Sequence, residues 1–310
     1  MKTKEEVREK IKYLCWYYES YSCSEAVWRI LADVYDVMIP PDYLKISSIN
    51  RGGACAGGRC GILESTIAFL SYIYGRENSE EEYAQLMYWS EEIHKCFIKQ
   101  MHYTSCDNIW EALQNAIAVG KFKPKTHCII YEGLVGISDV VYDAYMSLKR
   151  TREAELYEKC EMASIKEKCN YYLRQNYVCS EAALRAILEK YDIEWTNQQK
   201  RVATIFQKGA AIGDRCGVIE VALLVLSYKY GRLDSREENL QDRLLARRLL
   251  EYVRNELGSC QCSQLTDMSE GIEKQCPRIY EVLDLCEEIF DNADDIIKNE
   301  LKDFEVDGKE

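Results

Sequence analysis

The pattern of hydrophobic and polar positions predicts an all-helical chain. In the first predicted helix, Val7, Ile11, Leu14 and Cys15 fall near one face, as expected for an amphipathic helix that packs on a core. No segment shows the convincing alternation of apolar and polar residues that is typical of a strand. The pattern therefore favours an all-α fold built from helical bundles.

The predicted helices follow one order in each half of the chain. The first half is predicted to contain helices over residues 4–18, 23–35, 42–49, 60–74, 79–101, 106–119 and 128–149, with a linker at 120–126. Residues 151–175 connect the halves and correspond to the first helix, and further helices are predicted over 179–191, 196–207, 214–230, 234–257, 262–271 and 276–303. Ser22 or Ser24 and Thr196 are candidate N-caps, and residues 303–310 are expected to fray.

A long stretch of the first half occurs again in the second half. The run from Arg51 to Arg76, RGGACAGGRCGILESTIAFLSYIYGR, contains a glycine-rich turn, a Cys-Gly pair and an apolar helix that ends in Tyr-Gly-Arg. The run from Lys208 to Arg232, KGAAIGDRCGVIEVALLVLSYKYGR, repeats this order 156 residues later. The chain is thus predicted to be a tandem duplication of one domain, with domains at residues 1–150 and 151–310. We expect the two halves to pack as an internal pseudo-dimer with pseudo-two-fold symmetry.

Composition and charge narrow the range of functions. The 310 residues carry a net charge of −12, which argues against a general surface for nucleic acid or for anionic membranes. No signal peptide is recognisable, and no apolar run is long enough to span a bilayer. We therefore expect a cytoplasmic protein, for which 15 cysteines indicate metal, cluster or thiol chemistry rather than a disulfide framework.

Four cysteines in each half recur in the same order. They are Cys23, Cys60, Cys106 and Cys128 in the first half, and Cys179, Cys216, Cys262 and Cys276 in the second. Most of them fall at predicted helix starts, where free N–H groups and the helix dipole stabilise a thiolate. Arg59 and Arg215 precede two of them and are expected to add positive charge. Cys60 and Cys216 are therefore the candidates for reactive thiols of low pKa.

Seven cysteines have no cysteine at the matching position, and most of these are interpreted as packing residues. Cys55 and Cys260 are exceptions, because each lies close in sequence to a recurring cysteine. The three histidines do not recur at matching positions, which argues against histidine zinc sites. Glu64 and Glu220 do recur; each is either a proton donor or ligand, or a buried partner of Arg59 and Arg215 or of Arg76 and Arg232.

The wide spacing of the recurring cysteines excludes a local zinc knuckle, so these residues must converge inside the folded bundle. Four converging thiolates fit an iron–sulfur cluster, a zinc ion or two redox dithiols, and the spacing alone does not choose among them.

At these residues the chain resembles the C_GCAxxG_C_C family of redox-active proteins. The matching features are Cys23-Ser24-Glu25-Ala26, Cys60-Gly61 with Tyr74-Gly75-Arg76, and then Cys106 and Cys128; the second half offers Cys179, Cys216-Gly217, Cys262 and Cys276. The resemblance covers most of both halves and implies redox or cluster chemistry. A similar domain accompanies the split-Soret cytochromes, which are associated with a [2Fe–2S]-type centre. Their haem motif, Cys-x-x-Cys-His, does not occur, so no haem c is expected.

One departure from the family pattern follows the central cysteine. The family's Ala-x-x-Gly is replaced by Ile62-Leu63-Glu64-Ser65 in the first half and by Val218-Ile219-Glu220-Val221 in the second. Bulky side chains and a glutamate therefore occupy a helix turn at which the family has small residues.

Three functional hypotheses follow. In the first, each set of four cysteines ligates an iron–sulfur centre for electron transfer or redox sensing, with an unidentified redox protein as partner. In the second, the protein is a thiol–disulfide oxidoreductase or redox sensor in which Cys60 and Cys216 attack. In the third, it is a non-catalytic helical scaffold with structural zinc or no metal. A monomer and a homodimer are both compatible with the sequence.

Overall fold

The computed structural model describes residues 2–118, 130–148, 164–237, 240–266, 276 and 278–307. Within these ranges the protein is helical and contains no strand, only two isolated bridges. In chain order, the α-helices span Lys4–Tyr17, Cys23–Tyr35, Gly61–Tyr74, Ala84–Met101, Cys106–Ala118, Gly136–Ser147, Ile165–Arg174, Cys179–Lys190, Asn197–Lys200, Gly217–Tyr230, Gln241–Leu257, Cys262–Leu265, Ile279–Asp291 and Ala293–Asp307. The predicted all-α, tandemly repeated fold is confirmed.

Shorter helical segments connect these helices. Pro41–Asn50 is a 3-10 helix at the place of the short helix predicted over 42–49, and Arg201–Phe206 is a 3-10 helix within the longer helix predicted over 196–207. Gly53–Gly57, Gly209–Gly213 and Tyr131–Val135 form single wide turns. Thr196 caps its helix as predicted, because its side chain accepts a hydrogen bond from Gln199 N. Ser22 occupies the other predicted cap position.

Two predicted helices begin later than the hydrophobic pattern indicates. The helices predicted from residues 79 and 234 begin at Ala84 and Gln241. Asn78 Oδ1 accepts from Glu80 N (2.9 Å), and Asp234 Oδ1 accepts from Arg236 N (2.9 Å), so each local turn competes with the helix.

The C-terminal helix also differs from its prediction. It divides at Asn292, whose Nδ2 donates to Glu288 O (2.8 Å) and so satisfies a carbonyl of the last turn. The helix after Asn292 extends to Asp307, and the fraying expected over residues 303–310 stays a prediction. The predicted linker at 120–126, the junction at residue 150 and parts of the helices predicted at 106–119, 128–149, 151–175 and 262–271 lie outside the described residues.

The two central helices, Gly61–Tyr74 and Gly217–Tyr230, lie in the middle of the molecule. Nearly every residue of both helices is buried, which explains why they are apolar on all sides. The first central helix packs against the 3-10 segment Arg201–Phe206, and the second packs against Pro41–Asn50. Each half thus covers the central helix of the other, and one hydrophobic core contains residues from both.

Reciprocal hydrogen bonds show the pseudo-two-fold relation between the halves. Ser71 Oγ donates to Arg201 O (2.7 Å), and its counterpart Ser227 Oγ donates to Lys45 O (2.5 Å). Arg185 Nη2 donates to Glu77 O (2.7 Å), while Arg29 Nη2 donates to Leu233 O (2.9 Å). A contact that occurs once in each direction is the signature of an isologous interface.

Candidate functional site

The recurring cysteines lie at helix starts, as predicted. Cys23, Cys106, Cys179 and Cys262 are the first residues of their helices, and Cys60 and Cys216 are the N-caps of the central helices. Cys276 comes just before the helix that begins at Ile279. Cys128 lies outside the described residues, so the first half shows three of its four predicted site cysteines.

A short backbone pairing holds two of these cysteines next to each other in each half. Cys60 N donates to Thr104 O (2.7 Å), and Cys106 N donates to Gly58 O (2.7 Å), on either side of the bridge between Arg59 and Ser105. The second half repeats this arrangement, with Cys216 N donating to Cys260 O (2.8 Å) and Cys262 N to Asp214 O (2.7 Å). Residues distant in sequence therefore reach one site through main-chain hydrogen bonds.

Gly61, directly after Cys60, lets a third cysteine approach. A Cβ atom at position 61 would lie 2.7 Å from Asn50 O, 3.0 Å from Ser24 Cβ and 3.3 Å from Cys23 Sγ. At Gly217, a Cβ atom would likewise collide with Phe206 O and lie 3.1 Å from Ser180 Cβ. The glycine of the Cys-Gly pair is thus required by close packing at the site.

All four site cysteines of the second half come together. Burial, together with the nearby thiols of Cys262 and Cys276, raises the pKa of Cys179 to about 12. Burial also raises the pKa of Cys216 well above its ordinary value, with added contributions from Cys179 and Cys262. Each of the four sulfurs is therefore close enough to at least one of the others for an electrostatic effect.

The first half shows the same convergence for its three described cysteines. Burial raises the pKa of Cys23 to about 12, and Cys106 adds to the shift. Burial likewise raises the pKa of Cys60, with contributions from Cys23 and Cys106. Burial thus outweighs the effects that were expected to lower the pKa of Cys60 and Cys216.

Backbone N–H groups face several of these sulfurs. Hydrogen bonds from the N–H groups of Ile62 and Leu63 oppose the rise in the pKa of Cys60, which burial dominates. The N–H groups of Arg278 and Ile279 act on Cys276 in the same way. Such donors stabilise the thiolate form, so the helix starts act on the sulfurs as the sequence predicted.

Glu64 and Glu220 form a buried ion cluster with arginines from both halves. Arg59 Nε lies 2.9 Å from Glu64 Oε2, and Arg59 Nη2 lies 3.2 Å from Glu220 Oε1. Arg215 Nε lies 2.5 Å from Glu220 Oε1, and Arg215 Nη2 lies 3.9 Å from Glu64 Oε2. Burial raises the pKa of Glu64 to about 8, although the Arg59 guanidinium opposes the shift. The interpretation of these glutamates as buried partners of Arg59 and Arg215 is confirmed.

The arginines at the ends of the central helices have other partners, which the sequence reasoning missed. Arg76 binds Glu181 through Nε (2.8 Å) and Nη2 (2.6 Å), and Arg232 binds Glu25 through Nε (3.0 Å) and Nη2 (2.9 Å). Each pair joins the two halves. The available signal was that Glu25 and Arg76 both recur 156 residues later, as Glu181 and Arg232.

Five of the seven cysteines without counterparts fall into two groups; of the other two, Cys96 is half-buried and Cys160 lies outside the described residues. Cys15, Cys169 and Cys286 are buried, which fits the predicted packing role. Cys55 lies near Cys106, and its Sγ accepts a hydrogen bond from Arg243 Nε (3.4 Å). The backbone oxygen of Cys260 accepts a hydrogen bond from Cys216 N (2.8 Å), so both cysteines singled out from the sequence lie beside the predicted sites.

The donor set fits an iron–sulfur centre or zinc in its chemistry, because the converging groups are thiols that face N–H donors. The distances between these side chains, however, are longer than those between the ligands of a bound metal. Among the described residues, no three Cys, His, Asp or Glu side chains form a group that could hold a metal ion. A bound metal would therefore require the sulfurs to move closer together.

Comparisons with known proteins identify one family. The family model described as "Putative redox-active protein (C_GCAxxG_C_C)" matches residues 21–134 and, a second time, residues 177–299. These two matches cover well over half of the chain and agree with the duplication. Comparison with curated proteins and with solved structures gave no match. None of the described helices is long and apolar enough to cross a membrane.

Proposed function

Since this chain belongs to the C_GCAxxG_C_C family of redox-active proteins, we propose that each half carries one cysteine-ligated iron–sulfur centre, used for electron transfer or redox sensing. The ligands would be Cys23, Cys60, Cys106 and Cys128 in the first half, and Cys179, Cys216, Cys262 and Cys276 in the second. The observation that carries this proposal is the proximity of four cysteines in the second half, of which Cys216 is buried and the other three are half-buried, each at or just before a separate helix start.

The surroundings of these sulfurs favour ligation by thiolates. A buried thiolate without a cation is costly, and this cost appears as the raised pKa values of Cys179 and Cys216. Helix-start N–H groups offset part of the cost, and a metal centre would offset the rest. An iron–sulfur centre supplies one-electron chemistry whose potential depends on burial and on hydrogen bonds to sulfur.

Iron–sulfur ligation fits the family better than zinc does. Four thiolates can hold a structural zinc ion, but zinc has no redox chemistry and the family is described as redox-active. A zinc-bearing scaffold would leave that description unexplained.

Dithiol chemistry is the second candidate. The site cysteines are neighbours in both halves, yet the described ones are not spaced as metal ligands, which also fits pairs of thiols that oxidise to disulfides. In this alternative the thiols of Cys60 and Cys216 attack a disulfide bond. Their burial and raised pKa values count against fast attack on a large disulfide substrate.

We place the protein in the cytoplasm, where thiols remain reduced, and expect a second redox protein to exchange electrons with it. The 15 cysteines support this compartment, because metal and thiol chemistry is the usual role of such a cysteine content there.

The test is an absorption spectrum of anaerobically purified protein, together with iron, acid-labile sulfide and zinc analysis. The variant Cys60→Ala/Cys216→Ala removes one proposed ligand from each half. The matched control Cys15→Ala/Cys286→Ala removes two buried cysteines that have no counterparts. We expect a brown wild-type protein and a brown control, with about two to four irons and matching sulfide per half, and a colourless double variant.

Colourless wild-type protein that contains neither iron nor sulfide would overturn the proposal. If its thiols then titrated reversibly and Cys60→Ala/Cys216→Ala lost that behaviour, the dithiol function would replace it. Stoichiometric zinc with no change on reduction would instead favour the scaffold.

A further inference from the structure

A pocket of about 310 Å³ opens where the two halves meet, above the buried ion cluster. Its floor is formed by Gly58 and Arg59 of the first half and by Asp214 and Arg215 of the second. Its outer wall comes from the helix that ends at Leu257 and the turn that follows, and includes Arg254, Cys260, Gln261 and Gln264. A pocket of this size can hold a small molecule.

Each of the two arginines of the floor keeps one hydrogen-bond donor without an acceptor among the described residues. The side chains of Arg59 and Arg215 are only 0% and 6% exposed, and their Nε and Nη2 atoms face Glu64 and Glu220. The Nη1 atom of each arginine is buried and has no hydrogen-bond partner within the described residues. Buried guanidinium N–H groups are costly to leave unpaired, so this edge of the cluster suits an acceptor from outside.

The charge and shape of the pocket indicate the class of acceptor. Three guanidiniums line it, from Arg59, Arg215 and Arg254, together with one carboxylate, Asp214. Glu64 and Glu220 offset the charges of Arg59 and Arg215, so the added positive charge of the pocket comes from Arg254. Asp214 is already engaged, because its Oδ1 accepts from Arg215 N (2.8 Å) and its Oδ2 lies 3.3 Å from Arg59 Nε. A Cβ atom at Gly58 would lie 3.3 Å from Arg215 Nη1, so the glycine keeps this edge open.

We propose that this pocket binds the oxyanion group of a small molecule, a phosphate or a carboxylate, between the Nη1 edges of Arg59 and Arg215. Guanidinium groups match the paired oxygens of both anions. Arg254, Gln261 and Gln264 then contact the anion from the outer wall. The inference is independent of the proposed metal centres, because none of the proposed ligands lines the pocket.

The first half of the chain does not repeat the polar residues that line this pocket. Arg254 and Gln264 correspond to Ile98 and Asn108 in the first half, and Leu250 corresponds to His94. His94 is buried near Arg59 and Asp214 on its own side of the cluster. The proposal therefore predicts one anion site per chain rather than two.

The test is isothermal titration calorimetry on the full chain with inorganic phosphate and, separately, with malonate, at constant ionic strength set by sodium chloride. We expect saturable binding of at least one of the two anions, with one site per chain. Arg254→Gln removes an exposed charge from the pocket wall and is expected to weaken binding about tenfold. Arg247→Gln, on the same helix but outside the pocket, is the matched control and should bind as the wild type does.

Gln264→Leu provides a second variant that leaves the ion cluster intact and should also weaken binding. Binding of phosphate alone identifies a phosphate site, binding of malonate alone identifies a carboxylate site, and binding of both identifies a general oxyanion site. The proposal is overturned if neither anion binds saturably, if Arg254→Gln and Gln264→Leu both bind like the wild type, or if Arg247→Gln loses as much affinity as Arg254→Gln.

Discussion

At the residue scale, the recurring sequence positions correspond to strong local constraints. The glycine after each central cysteine allows a carbonyl and a second helix start to approach within contact distance. The arginine before it is held by glutamates of both halves rather than by the thiol. Residues that occur again 156 positions later therefore lie at close packing contacts and in the buried ion cluster as well as at the site cysteines.

Replacing Gly61 with alanine tests the packing at the site. Because the new Cβ atom would lie 2.7 Å from Asn50 O, we expect Gly61→Ala to lower the free energy of unfolding by about 1–3 kcal/mol. Gly136→Ala is the control, since its Cβ atom would meet only the flexible side chain of Gln100. Denaturant unfolding measures both variants, and equal stability of the two would contradict the packing argument.

His94 is expected to make the protein sensitive to acid. Burial and, to a smaller extent, the Arg59 guanidinium lower the pKa of His94 from 6.5 to about 4. The unfolded chain therefore binds more protons between these two pH values, so stability is lost as the pH falls from 6.5 towards 4, by at most about 3 kcal/mol. His94→Leu, which copies the Leu250 of the second half, should remove this part of the decline.

The measurement for His94 is the difference in unfolding free energy between wild type and His94→Leu across pH 4 to 7. The variant should gain relative stability as the pH falls. A difference that stays constant over this range would show that His94 does not titrate as its burial implies.

At the element scale, the two central helices are anchored at their ends by ion pairs with the opposite half. Arg76 follows the first central helix and binds Glu181, while Arg232 follows the second and binds Glu25. Burial alone would raise the pKa of Glu25, but hydrogen bonds from Arg232 and Ser22 lower it overall. These pairs fix where the helix ends dock.

Removing one charge from such a pair should be costly. Glu181→Gln leaves the buried Arg76 guanidinium without its carboxylate, and we expect a loss of about 3–5 kcal/mol in the free energy of unfolding. Glu251→Gln breaks an exposed pair with Arg247 and should change stability little. Comparable losses in the two variants, measured by denaturant titration, would contradict the proposed anchoring.

Most helices could be predicted from the sequence, because their apolar faces and caps are local signals. Thr196 and the helix-start cysteines were recognised in this way. The late starts at Ala84 and Gln241 could not be, because they depend on turns made by Asn78 and Asp234 inside otherwise helical patterns. The partners of Arg76 and Arg232 lie in the other half, so the hydrophobic pattern of a single helix carries no information on these pairs, and only the recurrence of all four residues pointed to them.

At the scale of the whole molecule, the duplication produces one body rather than two separate bundles. Each half supplies a 3-10 segment that covers the central helix of the other, and aromatic contacts such as Tyr43 with Trp195 (5.0 Å between ring centroids) cross the boundary. The halves therefore depend on each other for burial of their most apolar helices.

This shared core predicts cooperative unfolding. We expect circular dichroism, which follows helix content, and tryptophan fluorescence to report the same single transition in denaturant. The reason is that Trp28 of the first half and Trp195 of the second both belong to the common core. Two separate transitions, each assignable to one half, would contradict the interdependence of the halves.

The most direct test of the account is the iron and acid-labile sulfide content per chain of the single variants Cys60→Ala and Cys216→Ala. If each half holds its own centre, each variant keeps about half of the wild-type iron and sulfide, and the double variant keeps none. Complete loss in either single variant would indicate one shared centre, and unchanged content in both would contradict cysteine ligation at these positions.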